Sequence, residues 1–271
     1  MIILVAAPLA LTIYLSLTNF TYGADPVFIG LENFRKVLSD EQFWGSMGFT
    51  LVYVVITTSL QLVLGLAVAM IIDKLKFGKG ISISLVMIPF FIVPIVGTMI
   101  WGWMFRAHWG YFSYLLSKLN IFINWYDSAR AAQAMILSHG VWMLAPWMIL
   151  LFYAGLQTIP RESMEAALID GANGWQRLFH VIIAHLRSLV LFAAMIGVMD
   201  GYRFFESSYQ ITQGGPGSAT ESLMYFNYYI SFRELSLGKG SAISVLSVVG
   251  TFLIMAPFLY LTYRESTEAL R

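Results

Sequence analysis

Cysteine is absent from all 271 residues, which rules out a disulfide framework and thiol chemistry. Charge is almost as scarce. Asp, Glu, Lys and Arg together make up 11% of the chain, where a soluble domain of this length carries roughly a quarter. So little polar surface cannot cover a water-soluble globule, and lipid must be the solvent. A net charge of +1 leaves no basic patch for a nucleic acid. Catalytic signatures are missing too. No Gly-x-x-x-x-Gly-Lys-Ser/Thr occurs, and the nearest fragment, Phe77-Gly78-Lys79-Gly80, lacks both the leading glycine and the closing hydroxyl residue. The chain therefore cannot hydrolyse ATP by itself. His108, His139, His180 and His185 lack metal-ligand spacing, and no nucleophile elbow or zinc-protease motif is present. No catalytic site, metal site or cofactor is expected in this chain.

Long uncharged runs take up most of the sequence. They cover 1–24, 47–72, 81–105, 131–160 and 240–263. Each exceeds the roughly 20 residues that a helix needs to cross the hydrocarbon core. A sixth run starts near Leu186, but Asp200, Arg203 and Glu206 interrupt it. Counting it as a span gives an all-α, polytopic membrane protein of about six transmembrane helices. The first run lacks the basic start of a signal peptide and is read as a span, with a cytoplasmic segment expected ahead of it. Pro8, Pro89 with Pro94, Pro146 and Pro257 interrupt spans and predict kinks.

With an inward N-terminus, 73–80, 156–188 and 264–271 face the cytoplasm. They include Lys74, Lys76, Arg161, Arg177, Arg264 and Arg271. The two sides carry equal counts of Lys and Arg, eight each, but 49 residues lie inside against about 92 outside. Density therefore favours both ends inside. The outer segments 30–47 and 109–125 mix aromatics with scattered charges, as interfacial helices do.

The inner segment 158–186 is the most informative. Thr158 can cap a helix, Pro160 suits its first turn, and Gly171 can end it in a left-handed conformation. Met164, Ala167, Leu168 and Gly171 fall at helical spacing on one face. Asn173 with Gln176 three residues later predicts a capping box that starts a second short helix. Small Ala and Gly positions would let another backbone approach closely.

Glu165-Ala166-Ala167, Asp170-Gly171-Ala172, Phe179 and Val181 resemble the EAA loop of type I ABC importer permeases. Gly30-Leu31-Glu32-Asn33-Phe34 and Thr212-Gln213-Gly214-Gly215-Pro216 with Thr220-Glu221 are similar to further segments of that family. They point to its sugar-importer branch, the maltose-type and glycerol-phosphate-type permeases. Ala184 and Ser188 depart from the pattern, standing where the family usually has prolines. The resemblance implies a single permease domain over 1–271, with the EAA coupling loop at about 158–186. It also implies a multi-pass location in the bacterial cytoplasmic (inner) membrane. Its implied partners are a cytoplasmic ATPase dimer that binds ATP and Mg, a second permease subunit, a periplasmic or lipid-anchored solute-binding protein, a sugar substrate and membrane lipid. Glu162, Glu165, Ala166, Ala167, Asp170 and Gly171 are the residues expected to meet the ATPase. A secondary transporter is the alternative, for which only Asp200 and Glu206 speak, since repeats and ion-binding carboxylates are otherwise missing.

Polar groups within spans are costly in lipid, so Gln61, His139, Asp200 and Arg203 are candidate path residues. Asp200, Arg203 and Glu206 recur at i, i+3 and are expected to share one side of the fifth span, with Gly197 and Gly201 allowing close helix contact. His139, Tyr202 and Phe205 complete the expected sugar path, with rings to stack on the sugar. An Arg there would suit a glycoside or an anionic sugar. The segment 214–217 is read as an outward hairpin.

Overall fold

A computed structural model describes residues 2–106 and 109–268, with side chains for 4, 6–106 and 109–262. His108 and Arg271 lie outside the described residues, as does the side chain of Arg264. In chain order the elements are α1 (Ile2–Ser16), β1 (Thr18–Asn19), β2 (Val27–Phe28), α2 (Glu32–Leu38), α3 (Glu41–Lys74), α4 (Lys79–Phe91) and α5 (Pro94–Met104). They continue with α6 (Tyr111–Lys118), α7 (Ala129–Leu156), α8 (Arg161–Ile169), α9 (Gly174–Arg177), a π-helical turn over Leu178–Ile182, α10 (Ile183–His185) and α11 (Arg187–Tyr202). A second π turn (Ser208–Thr212), α12 (Leu223–Tyr228), a third π turn (Tyr229–Arg233) and α13 (Leu237–Glu268) complete the chain. The fold is all-α apart from the small hairpin, in which Thr18 pairs with Phe28 and Asn19 with Val27.

Among the described residues three helices, α3, α7 and α13, are long and apolar enough to span a bilayer. Two bent pairs, α4 with α5 and the helical stretch Gly174–His185 with α11, bring the count to five if each pair is one span. The described α1 is about 22 Å long, less than the roughly 30 Å core. It ends at Ser16 rather than near residue 24, because the chain turns there into the hairpin. The α3 helix starts at Glu41, six residues before the expected span at 47–72. Asp40 caps it, accepting from the Gln42 N–H at 3.0 Å, and Lys239 pairs with the same carboxylate at 3.0 Å.

Where one kinked third span was expected, there are two separate helices, α4 and α5. They meet at 96°. Pro94 has no N–H to give and disfavours a helical residue before it, and Ile92 is extended at ψ 133°. The fifth span bends by 75° at Leu186 without any proline. The expected interfacial helices are α2 and α6, where Lys118 sits 5.0 Å from the Tyr114 ring.

The chain forms two compact units. One comprises the described residues of Met1–Tyr53, Thr98–Ile136 and Tyr202–Met255. The other comprises those of Val54–Gly97, Leu137–Gly201 and Ala256–Arg271. Aromatic rings dominate the core of the first: Tyr53 stacks on Phe204 at 3.7 Å, and Trp101, Phe105 and Phe112 pack around one another. Asn33, from the Gly30–Phe34 motif, is buried there. It donates to the carbonyls of Ser16 and Thr18 at 2.9 and 2.8 Å, fastening α2 to the end of α1.

The second unit has an aliphatic core of Ala69, Ile72, Met148, Ile149, Phe152, Ile182 and Leu186. Its helices approach through glycine. A Cβ at Gly197 would lie 2.9 Å from Thr58 Cγ2, and one at Gly201 would lie 3.3 Å from Val54 Cγ2, so α11 rides against α3 as the four-residue spacing predicts. Gly65 brings α3 against α7 more closely still, with Met148 Cβ 2.8 Å from where its own would be.

Candidate functional site

The segment 158–186 lies wholly in the second unit. Pro160, extended at ψ 132°, is the residue that precedes α8. Thr158 is not its cap, because its hydroxyl donates to the Gly155 carbonyl at 2.8 Å and closes α7. At the other end Gly171 has φ +74°, the Ala172 N–H reaches the Ala167 carbonyl at 2.9 Å, and the Gly171 N–H reaches that of Leu168 at 3.1 Å. This six-to-one and five-to-two pairing is a Schellman ending, which glycine permits at no steric cost. Asn173 and Gln176 then form the expected capping box, each side chain accepting from the other's backbone N–H at 2.9 and 2.8 Å.

These caps set two short helices at a sharp turn and fix what each side chain faces. Met164 and Leu178 pack onto the aliphatic core, and Ala167 is half-buried beside them. Leu168 and Gly171, expected on that same face, are exposed instead, because a nine-residue helix rests on the core only through Met164 and its nearest neighbours. Glu162, Glu165, Ala166 and Asp170 are exposed as well. More informative are the apolar groups left in the open: Ile169 is 86% exposed, Trp175 71%, and Leu168 and Phe179 55% each. Trp175 and Phe179 stack on each other with their planes 15° apart. Sequence reasoning picked out the small and acidic residues of this surface, gave Leu168 and Phe179 no part in docking, and passed over Ile169 and Trp175. Their presence in a charged loop was the available signal.

The expected path residues fare differently. His139 is buried in α7, with its ring 6.1 Å from that of Trp142. Gln61 is buried in α3 and donates to the Gly140 carbonyl at 3.0 Å. Asp200 is half-buried near the end of α11. That helix stops at Tyr202, and 203–205 are not helical, so Arg203 and Glu206 do not continue the row begun by Asp200. Both are exposed. Tyr202 is 1% exposed and fills the space over Gly250, where a Cβ would collide with the phenol oxygen. It is a packing residue of the first unit, to which Arg203, Phe205 and Glu206 also belong, whereas His139 and Asp200 belong to the second.

Phe205 leads to a group that the spacing did not announce. It stacks with Tyr209 at 5.2 Å, and Tyr228 meets both at steep angles, 5.4 and 5.3 Å away. Tyr225 lies 6.4 Å from Phe205 and from Tyr209, and all four rings are half-buried. The Gly-Gly-Pro loop brings 205–209 and 225–228 together. It is not a hairpin of strands but a hydrogen-bonded knot around the buried Thr220. The Thr220 hydroxyl meets that of Thr212 at 2.7 Å and the Gly215 carbonyl at 2.6 Å, and Ser208 donates to the Thr220 carbonyl at 2.7 Å. Next in sequence, Glu221 is buried and accepts from Gln42 Nε2 at 2.8 Å. Burial pushes its carboxyl above the usual range. Among the described residues no group of three or more His, Asp or Glu could hold a metal.

No family model matches the chain. The Sinorhizobium fredii protein described as probable ABC transporter permease protein y4oQ is 33% identical over 270 residues, covering 98% of this chain and 87% of its own. The trehalose/maltose transport system permease protein MalF of Thermococcus litoralis is 35% identical over 252 residues, covering 92% and 84%. This chain belongs to the ABC transporter permeases. A solved bacterial ABC transporter involved in the import of the acidic polysaccharide alginate has a chain of the same fold, with a TM-score of 0.78 at 16% identity over 97% of this chain and 91% of that one. As an ABC transporter permease the chain is a multi-pass membrane transport subunit, and the secondary-transporter alternative falls. The resemblance carried by Glu165–Ala172 and the Gly-Gly-Pro segment thus led to the right family.

Proposed function

We propose that this permease serves a binding-protein-dependent importer of a sugar in the bacterial inner membrane. A separate ATPase docks on 158–186, and a second permease subunit completes the translocation path. The observation that carries this reading is the exposed apolar surface of Leu168, Ile169, Trp175 and Phe179 on two firmly capped short helices. Water is a poor neighbour for such a surface, and the loop lies on the side with the denser Lys and Arg. A nucleotide-binding partner is required because the chain has no phosphate-binding loop of its own. The family supports a sugar as cargo, since the Thermococcus relative is described as a trehalose/maltose permease.

The test is to reconstitute the complete complex in liposomes and measure uptake of labelled trehalose, maltose and a panel of other mono- and disaccharides. Uptake of at least one sugar is expected only when ATP is supplied on the ATPase side. Uptake driven by an ion gradient without ATP, or no sugar uptake by an assembled, ATP-hydrolysing complex, would contradict the reading.

A further inference from the structure

We infer that the aromatic cluster of Phe205, Tyr209, Tyr225 and Tyr228, with the cavity beside it, is a binding subsite for an uncharged pyranose ring. The inference rests on the sugar reading above and assigns that sugar a place in the first unit. Tyr225 joins the two parts, since its ring belongs to the cluster and also walls a cavity of about 330 Å³. That volume is in the range of small-ligand sites. Gln42, Gln213, Ser218, Glu221 and Tyr229 line the rest, along with the backbone of the Gly-Gly-Pro loop.

The chemistry of the two parts is complementary. A pyranose presents C–H groups on its faces and hydroxyls around its rim. Half-buried rings offer flat apolar surface to the faces, and amide, hydroxyl and carboxylate groups take the rim. Gln42 already gives its Nε2 to Glu221, which leaves its carbonyl oxygen to accept from a ligand hydroxyl. No Lys or Arg is among the lining residues, so Glu221 is the one charged group of the lining and would repel an anionic sugar, with Arg233 acting on Tyr225 only from outside it. This departs from the anionic substrate that Arg203 suggested.

Two further features fit a built site. The Thr220 knot fixes the loop independently of any ligand. Gly214, at φ +78°, also keeps space for the Tyr225 ring, because a Cβ there would lie 3.0 Å from it. The cavity shares Gln42, Gly217 and Ser218 with a larger open cleft of about 790 Å³, which gives a ligand a way in.

The chain has no cysteine, so Tyr229→Cys places a single thiol on it at the rim of the cavity. In the assembled complex, labelling of that thiol by a membrane-impermeant maleimide is followed with and without maltose, trehalose, glucuronate and the open-chain polyol sorbitol. A disaccharide that the complex transports should slow labelling roughly tenfold when present at roughly ten times its Kd, whereas glucuronate and sorbitol should not. Adding Tyr225→Ala should leave the thiol reactive but abolish the protection. Full-rate labelling in the presence of a transported disaccharide overturns the inference, and so does protection that survives Tyr225→Ala. A thiol that labels in the isolated chain but not in the complex shows that the second permease covers the cluster, which also overturns it. Absence of uptake for every sugar in the panel overturns the preceding reading and this one with it. Uptake without protection overturns this one alone.

Discussion

Replacing Leu168 and Ile169 together by Asp is expected to release the ATPase from the complex and abolish ATP-driven uptake, with the permease still in the membrane. Neither side chain contributes to the aliphatic core, so the substitution removes nothing that holds the chain itself together. Exposed substitutions of that kind usually change stability by no more than about 0.5 kcal/mol. Docking is where the cost falls. Burying a Leu or Ile against a partner contributes about 1.5–3 kcal/mol, and an Asp in its place must be desolvated as well. Losing two such anchors at the centre of a small interface weakens the complex by about 3 kcal/mol or more, over a hundredfold in affinity. Co-purification and substrate-stimulated ATP hydrolysis read this directly. The double variant binding its ATPase as tightly as the unaltered chain would place the contact elsewhere.

The platform beneath that surface makes the second large prediction. Gly65→Leu should remove the permease from the membrane altogether, or leave it aggregated. A Cβ at Gly65 already meets Met148 Cβ at 2.8 Å, the Met148 carbonyl carbon at 3.2 Å and Phe152 Cδ2 at 3.2 Å. Backbone cannot give way as a flexible side-chain end can, so α3 and α7 must separate. Met148 and Phe152 belong to the core on which Met164 and Leu178 rest, so the separation reaches the surface proposed to dock the ATPase as well. Gly65→Ala is the graded version. It gains about 1 kcal/mol of helix propensity and incurs overpacking of about 1–3 kcal/mol, and the thermal midpoint should fall by a few degrees. Normal accumulation of the Leu variant would mean that the two helices do not meet at Gly65. The two experiments separate cleanly. One loses the partner and keeps the chain, and the other loses the chain.

Much of this architecture was legible in the sequence because the forces behind it are local. Uncharged runs found α3, α7 and α13, since lipid tolerates few ionised groups. Gly171 and the Asn173–Gln176 pair announced their caps because each is decided within six residues. What failed was extrapolation beyond a local rule. Arg203 and Glu206 were placed on a helix by spacing alone, and spacing says nothing about a helix that stops at Tyr202. Thr158 has the side chain of a cap, but the end of α7 claims it first. Pro94 predicted a kink but not a 96° turn, and the 75° bend at Leu186 has no local marker. The tyrosine cluster escaped for a different reason. Phe205 with Tyr209 and Tyr225 with Tyr228 are ordinary four- and three-residue spacings, and only the loop closed by Thr220 brings the two pairs together. The loop motif was visible, but its role as a clamp emerges only from its hydrogen bonds.

In the function proposed above, the surface around Ile169 receives the ATPase. A photoactivatable amino acid at position 169, in an active complex within its native membrane, tests that claim most directly. Phe122, 81% exposed in a segment assigned to the opposite side, is the control position. Crosslinking from 169 should capture the ATPase as its main product, and crosslinking from 122 should not capture it at all. Capture of the ATPase from 122, or of only lipid or an external protein from 169 while transport is intact, would contradict both the orientation and the coupling role.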